Sequence, residues 1–235
     1  MEYRHEMKYH INRKDAYVLS QRLASLMEYD AHSNDAGYYV TSLYFDTVHL
    51  DAYRQKTDGI AEKGKFRIRI YNYDKDFIRL EWKRKRSQYV KKESNQITYE
   101  DYQEIMGRSA RFESPAFLLD NRSPAIDAFL IEQKLNMLRP TVIVDYLRHV
   151  FVGTGDLRIS FDFDLRVVAN GTNLFGFNNH YLHVLPSDSV VMEVKYSSYL
   201  PAHIYAVLSG VESQYTGFSK YMLCMDKLME VRYYA

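Results

Sequence analysis

The chain has 235 residues, 31 Lys plus Arg against 30 Asp plus Glu for a net charge of +1, and 46% hydrophobic residues with 15% aromatics. That length and apolar content support a sizeable core in a single domain, residues 1–235, and the near-neutral balance speaks against a globally basic nucleic-acid binder or an acidic disordered tail. A lone Cys224 rules out an internal disulfide, the histidines lack zinc-ligand spacing, and there is no signal-like start or apolar run of roughly 18 residues, so a cytoplasmic protein without a membrane span is expected.

Residues 4 to 11 alternate Arg4, Glu6, Lys8, His10 with His5, Met7, Tyr9, Ile11, which predicts a strand with one ionic face. Asn12 then caps a helix carrying Ala16, Leu19, Leu23 and Leu26 at helical spacing. Between Lys63 and Lys92 lie twelve basic and three acidic residues, a local excess that the rest of the chain offsets. Within it, Lys65, Arg67, Arg69 and Tyr71 share one strand face and Phe66, Ile68 and Ile70 the other. Asn72 to Asp76 reads as a turn, and the return strand sets Arg79, Glu81, Lys83 and Lys85 against Ile78, Leu80 and Trp82, with Arg84 and Arg86 turned outward. Thr98 with Asp101 resembles a capping box, and Ser123-Pro124 opens a helix through Met137. Gly153 to Asp156 reads as a hairpin turn. From Leu157, an apolar face of Leu157, Ile159, Phe161, Phe163 and Leu165 alternates with Arg158, Ser160, Asp162, Asp164 and Arg166. Glu193 and Lys195 oppose Met192, Val194 and Tyr196; helices follow from Pro201 and from about Ser219 towards Glu230.

These ionic faces have two readings. They are the solvated side of an ordinary antiparallel sheet, or helices cover the apolar side of a closed sheet and the charges line a lumen, which needs a polyanion to offset the repulsion. Arg-x-Arg facing Lys-x-Lys suits an anion with several oxygens in a row. Glu6 beside Lys8 and Glu193 beside Lys195 are ion-pair partners, or ligands that share Mg2+ or Mn2+ with phosphate oxygens. Ser219 caps the last helix, and Lys220 follows at its positive end, either exposed or on an anion. Neither a Gly-x-x-x-x-Gly-Lys loop, a Gly-x-Ser-x-Gly elbow nor a His-Glu-x-x-His helix occurs, which weakens nucleotide-loop, serine-hydrolase and zinc-protease readings.

Seven motifs, Arg4-His5-Glu6-Met7-Lys8-Tyr9, Ser42-Leu43-Tyr44-Phe45-Asp46-Thr47, Phe66-Arg67-Ile68-Arg69-Ile70-Tyr71, Leu80-Glu81-Trp82-Lys83, Asp145-Tyr146-Leu147-Arg148, Glu193-Val194-Lys195 and Gly217-Phe218-Ser219-Lys220-Tyr221, occur in an order spanning nearly the whole chain. Together they resemble the VTC (vacuolar transporter chaperone) polyphosphate polymerase domain of the CYTH-like triphosphate tunnel metalloenzyme superfamily, in its short stand-alone bacterial form. The resemblance implies an α+β fold: a closed antiparallel eight-stranded β-barrel with an ionic lumen and helices packed on the outside. It implies transfer of the ATP γ-phosphoryl group to polyphosphate with Mn2+ or Mg2+ as cofactor. ATP and pyrophosphate or polyphosphate are the implied partners, a membrane-protein partner is possible and nucleic acid is not expected. Lys8, Arg67, Arg69, Lys83, Arg148 and Lys220 are implied to be catalytic. Lys85, Lys92, Tyr146, Arg158, Lys195 and Ser219 are implied to bind substrate, and Glu193 and Glu6 the metal. Two departures stand out. Arg4 replaces the first glutamate of the tunnel triphosphatases' Glu-x-Glu-x-Lys, which favours polymerase over triphosphatase, and Gly217 stands where the eukaryotic polymerases carry a second lysine. A triphosphatase and a non-catalytic polyphosphate or nucleotide sensor are the alternatives.

Overall fold

The computed structural model describes residues 5–31, 36–60, 62–86, 89–109, 123–176, 179–217 and 219–234; Arg4, Phe218 and the side chains of Lys63 and Arg86 lie outside them. Local signals place the helices. Strand β1 (His5–Asn12) ends on Asn12, whose side chain accepts from the Asp15 amide at 2.7 Å and starts α1 (Arg13–Ala24). Ala16, Leu19 and Leu23 are buried as their spacing predicts, while Leu26 falls beyond the helix and is exposed. Thr98 and Asp101 form the reciprocal capping box of α3 (Tyr99–Ser109), and Ser123 caps α4 (Pro124–Asn136), which ends on Met137 in the left-handed region. The helices expected near Pro201 and Ser219 are α5 (Ala202–Leu208) and α6 (Lys220–Tyr234). Helix α2 (Asp51–Thr57) was not predicted. The Asp46 carboxylate starts it by accepting from the Thr47, Ala52 and Tyr53 amides at 2.8–3.1 Å.

The remaining strands are β2 (Glu28–Tyr29), β3 (Tyr38–Asp46), β4 (Glu62–Tyr71), β5 (Ile78–Arg86), β6 (Tyr89–Ile97), β7 (Arg139–Val152), β8 (Arg158–Val168), β9 (Tyr181–His183), β10 (Ser189–Tyr196) and β11 (Gln214–Tyr215). All pair antiparallel in one sheet of eleven strands in the order β11-β1-β10-β8-β7-β3-β4-β5-β6, with β2 added to β7 and β9 to β8. This corrects the closed eight-stranded barrel. Among the described residues no ladder joins β6 back to β1, and part of the free edge of β1 is taken by β11, with Tyr9 opposite Tyr215 and His10 opposite Gln214. The sheet still curls into a trough, because the Lys83 ammonium on β5 comes within 3.3 Å of the Glu6 carboxylate on β1, across the gap between the two ends of the strand order.

The placing of every helix outside is also corrected. Helices α3 and α4 cover Phe45, Phe66, Ile68 and Leu80 on the convex side, and α1 and α5 cover Ile159, Phe161, Met192 and Val194. Helix α6 instead packs Tyr221, Cys224, Met225 and Leu228 on the concave side, against Tyr44, Val142, Val144, Leu165 and Val167. A bulge in β8 makes room for this contact. Asp164 has φ 51°, the register to β7 shifts there, and the alternation reverses. Phe163 therefore packs on the convex side, whereas Leu165 turns inward to α6. Arg166, expected to share a face with Asp162, lies opposite Asp145 on the convex side and pairs with it. Among the described residues no helix is long and apolar enough to cross a membrane.

Candidate anion-binding site

Because opposite residues of paired strands share a face, the registers gather one concave surface from the whole sheet. Lys65 lies opposite Lys83 and Lys83 opposite Lys92; Arg67 faces Glu81 and Tyr44; Arg69 faces Arg79 and Ser42. Across the trough, Lys8 lies opposite Glu193, and Glu6 opposite Lys195. Of the residues implied by the resemblance, Lys8, Arg67, Arg69, Lys83, Lys92, Arg148, Tyr146, Lys195, Ser219, Lys220, Glu6 and Glu193 converge on this surface. Two do not join it closely: Arg158 is bonded to Asp30 at the rim, and Lys85 is exposed.

Four carboxylates hold the cations in groups. Glu81, 1% exposed, accepts Arg67 Nε at 2.6 Å and Lys92 Nζ at 2.5 Å, with Arg69 Nη1 at 3.9 Å. Asp162, equally buried, takes the Arg148 fork at 2.6 and 2.8 Å and Lys220 Nζ at 2.5 Å. Glu193 lies among Lys195 and Lys220 at 3.1 Å, Arg148 at 3.6 Å and Lys8 at 3.8 Å. Glu6 joins Lys83 and, at 3.6 Å, Lys8. Burial works against each charge, but the surrounding cations outweigh it, holding Glu6 down at about 2 and Glu193 well below the usual carboxylate range. Burial among lysines pulls Lys83 down to about 8 despite Glu6. Eight cations thus share four carboxylates, leaving a surplus of positive charge on one surface.

Neutral groups fix the forks. Ser42 Oγ accepts from Arg69 Nε at 3.1 Å, and the Tyr44 hydroxyl from Arg67 Nη1 at 3.0 Å. The buried Tyr146 ring has Arg148 at 5.1 Å and Lys220 at 5.0 Å from its centroid. Ser219 Oγ accepts the Met222 amide at 3.3 Å, capping α6, and Lys65 reaches the same oxygen at 3.5 Å while lying 4.4 Å over the Tyr221 ring. Tyr221 donates to Asp46 at 2.5 Å, so the carboxylate that starts α2 also ties down the first turn of α6. Sequence reasoning put Glu81 and Asp162 on ionic faces without giving them a role, and quoted Ser42, Tyr44 and Asp46 only within a motif. The period-two spacing of those three was the available signal, since it sets them on one face.

The donor set bears on a metal. Glu193 and Glu6 stand on neighbouring strands and face the same space; two carboxylates suit Mg2+ or Mn2+ when phosphate oxygens complete the shell. Among the described residues no cluster of three or more His, Cys, Asp or Glu side chains could cage an ion without them. A cavity of about 580 Å³ beside β11, lined by His10, Asn12, Asp188, Glu212 and Gln214 among others, carries no Lys or Arg and lies apart from these cations.

Residues 3–229 match the family described as the VTC domain. No curated protein matches the sequence. Among solved structures, the chain is similar to a Hippeastrum protein described as a putative adenylyl cyclase with a dominant triphosphatase activity, 16% identical with a TM-score of 0.58, covering 97% of this chain and 96% of that one. It is also similar to a putative adenylate cyclase from Vibrio parahaemolyticus, 12% identical with a TM-score of 0.51, covering 94% and 97%. At such identities the likeness is one of fold.

Proposed function

Because the chain belongs to the VTC domain family, we propose that it is a polyphosphate polymerase that transfers the γ-phosphoryl group of ATP to the end of a polyphosphate chain and releases ADP. The observation that carries this reading is the gathering of eight Lys and Arg side chains around only four carboxylates on one concave surface. The cations exceed these carboxylates by four, and Lys65 and Arg79 add to the excess on the same face, which suits a polyanion such as the triphosphate of ATP.

Phosphoryl transfer needs in-line positioning and neutralisation of spreading charge more than it needs a protein nucleophile. In this reading, Arg67, Arg69 and Lys92 bind one part of the donor–acceptor phosphate row, and Arg148 with Lys220 the next. Lys8, Lys83 and Lys195 take the part nearest Glu193 and Glu6. A terminal oxygen of the acceptor chain attacks the γ-phosphorus as the bond to the β,γ-bridging oxygen breaks. Glu193 and Glu6 would hold Mn2+ or Mg2+, which when bound supplies further neutralisation of the phosphate oxygens. Arg4 stands where the tunnel triphosphatases carry their first glutamate, which supports a phosphate acceptor over water.

The test is incubation of the purified protein with ATP and Mn2+ or Mg2+, following polymer, ADP and free phosphate together. Polymer and ADP in step are expected. ADP with equimolar phosphate and no polymer would make it a triphosphatase, and tight binding without product would make it a sensor.

A further inference from the structure

Besides Lys65, which rests on Ser219 and the Tyr221 ring, a further cation of the concave surface stands outside the four groups. Arg79 lies opposite Arg69 on β5, on the trough side, yet among the described residues it has no carboxylate partner, and its buried Nε has no hydrogen-bond acceptor. Its guanidinium lies 5.2 Å from the centre of the Phe77 ring. Phe77 is 36% exposed, and its ring centre is 5.9 Å from that of Tyr71; Tyr71 in turn meets Tyr38 at 5.8 Å. Tyr38 is paired in register with Arg148. A row of rings therefore runs from the Arg148 fork to the trough end where Arg79 sits.

A bare phosphate chain has oxygens for guanidinium and ammonium groups but no flat apolar surface to lay on a ring. A half-open aromatic beside a guanidinium whose buried Nε lacks an acceptor fits a ligand that joins the two, a phosphate ester carrying a planar base. The Arg69–Arg79 juxtaposition points the same way, since two guanidinium groups in one rung repel unless an anion lies between them. We propose that Arg79, Phe77 and Tyr71 form the nucleoside end of the trough. Arg79 takes the phosphate nearest the ribose, and the open part of the Phe77 ring supports the base. This rests on the polymerase reading, and it fixes the direction in which the donor lies: base at the Phe77 end, γ-phosphate towards Glu193.

The experiment measures the affinities of ATP and of tripolyphosphate for the wild-type chain, Phe77→Leu and Arg79→Gln by calorimetry, with melting temperatures in parallel. Phe77→Leu is expected to weaken ATP about fivefold to tenfold and to change tripolyphosphate less than about twofold. Arg79→Gln is expected to weaken ATP by about tenfold. If Phe77→Leu shifts both ligands equally or shifts neither, the nucleoside assignment is overturned; a lowered melting temperature with unchanged ATP affinity makes Phe77 a packing residue of the β4–β5 turn. A wild-type chain that binds neither ligand defeats the trough reading itself.

Discussion

Replacing Asp162 by Asn removes one charge without changing shape, and does so at a buried carboxylate that two cations share at close range. The carboxylate is fully buried and holds the Arg148 fork at 2.6 and 2.8 Å and Lys220 at 2.5 Å. An amide presents one acceptor where there were two and turns an N–H towards a guanidinium. Breaking a buried pair in this way costs about 3–5 kcal/mol, because the stranded cations bear most of the penalty. For a chain of this size each kcal/mol moves the midpoint by roughly 2–4 °C, so a fall of roughly 6–20 °C is expected in a thermal melt. The same melt run with tripolyphosphate gives the sharper readout. The trough gains one net positive charge, so the ligand should stabilise Asp162→Asn more than it stabilises the wild type. The pH dependence follows the same logic. Burial raises the proton affinity of Asp162, but Arg148 and Lys220 outweigh it and the folded-state pKa is lowered; its contribution is therefore present above the ordinary carboxylate value of about 4 and lost as pH falls below it. The variant's acid limb should be correspondingly flatter. A melting temperature within about 2 °C of wild type, or a smaller ligand-induced shift in the variant, would refute the counter-ion argument.

Tyr44→Phe deletes the hydroxyl that accepts from Arg67 and little else; tripolyphosphate affinity should fall about twofold to tenfold in a binding titration, with KM rising more than kcat falls. Glu193→Gln should abolish turnover while leaving much of the phosphate binding, and unchanged activity would remove Glu193 from the metal-holding role. Burial holds Lys83 at about 8, so binding a polyanion should draw a proton onto it: affinity is highest below pH 8 and falls as pH rises through it. Calorimetry in buffers of different ionisation enthalpy reads that proton directly, and identical heats in all buffers at pH 8 would exclude it.

Much of this architecture follows from period-two alternation, since Arg67 and Arg69 cannot share a face with Phe66 and Ile68 in an extended chain. The caps at Asn12, Thr98 and Ser123 were equally legible, because each uses only neighbours in sequence. What could not be read depends on partners far along the chain. The open edge turns on β11, two residues whose pairing with β1 has no local signature. The seating of α6 inside the trough depends on Tyr221 meeting Asp46, 175 residues away. Lys83 and Glu6 were both expected at the site, but their meeting across the gap is a property of the sheet's curl. Glu81 and Asp162 show the complementary limit: sequence marks a charged face without saying which acid several bases will share.

The bulge at Asp164 divides β8 into two stretches with different tasks. Before it the concave side carries Ser160 and Asp162 for the charged groups; after it the same side carries Leu165 and Val167 for α6. Pairing the same residues without the bulge would act on burial as a frameshift acts on codons. Each following side chain would change layers, Arg166 being driven under the helix and Leu165 withdrawn from it. Removing the extra residue itself would leave the later side chains on their present faces, whereas a deletion elsewhere in the strand would not, so the phase of that strand is as much a part of the site as the charges it carries.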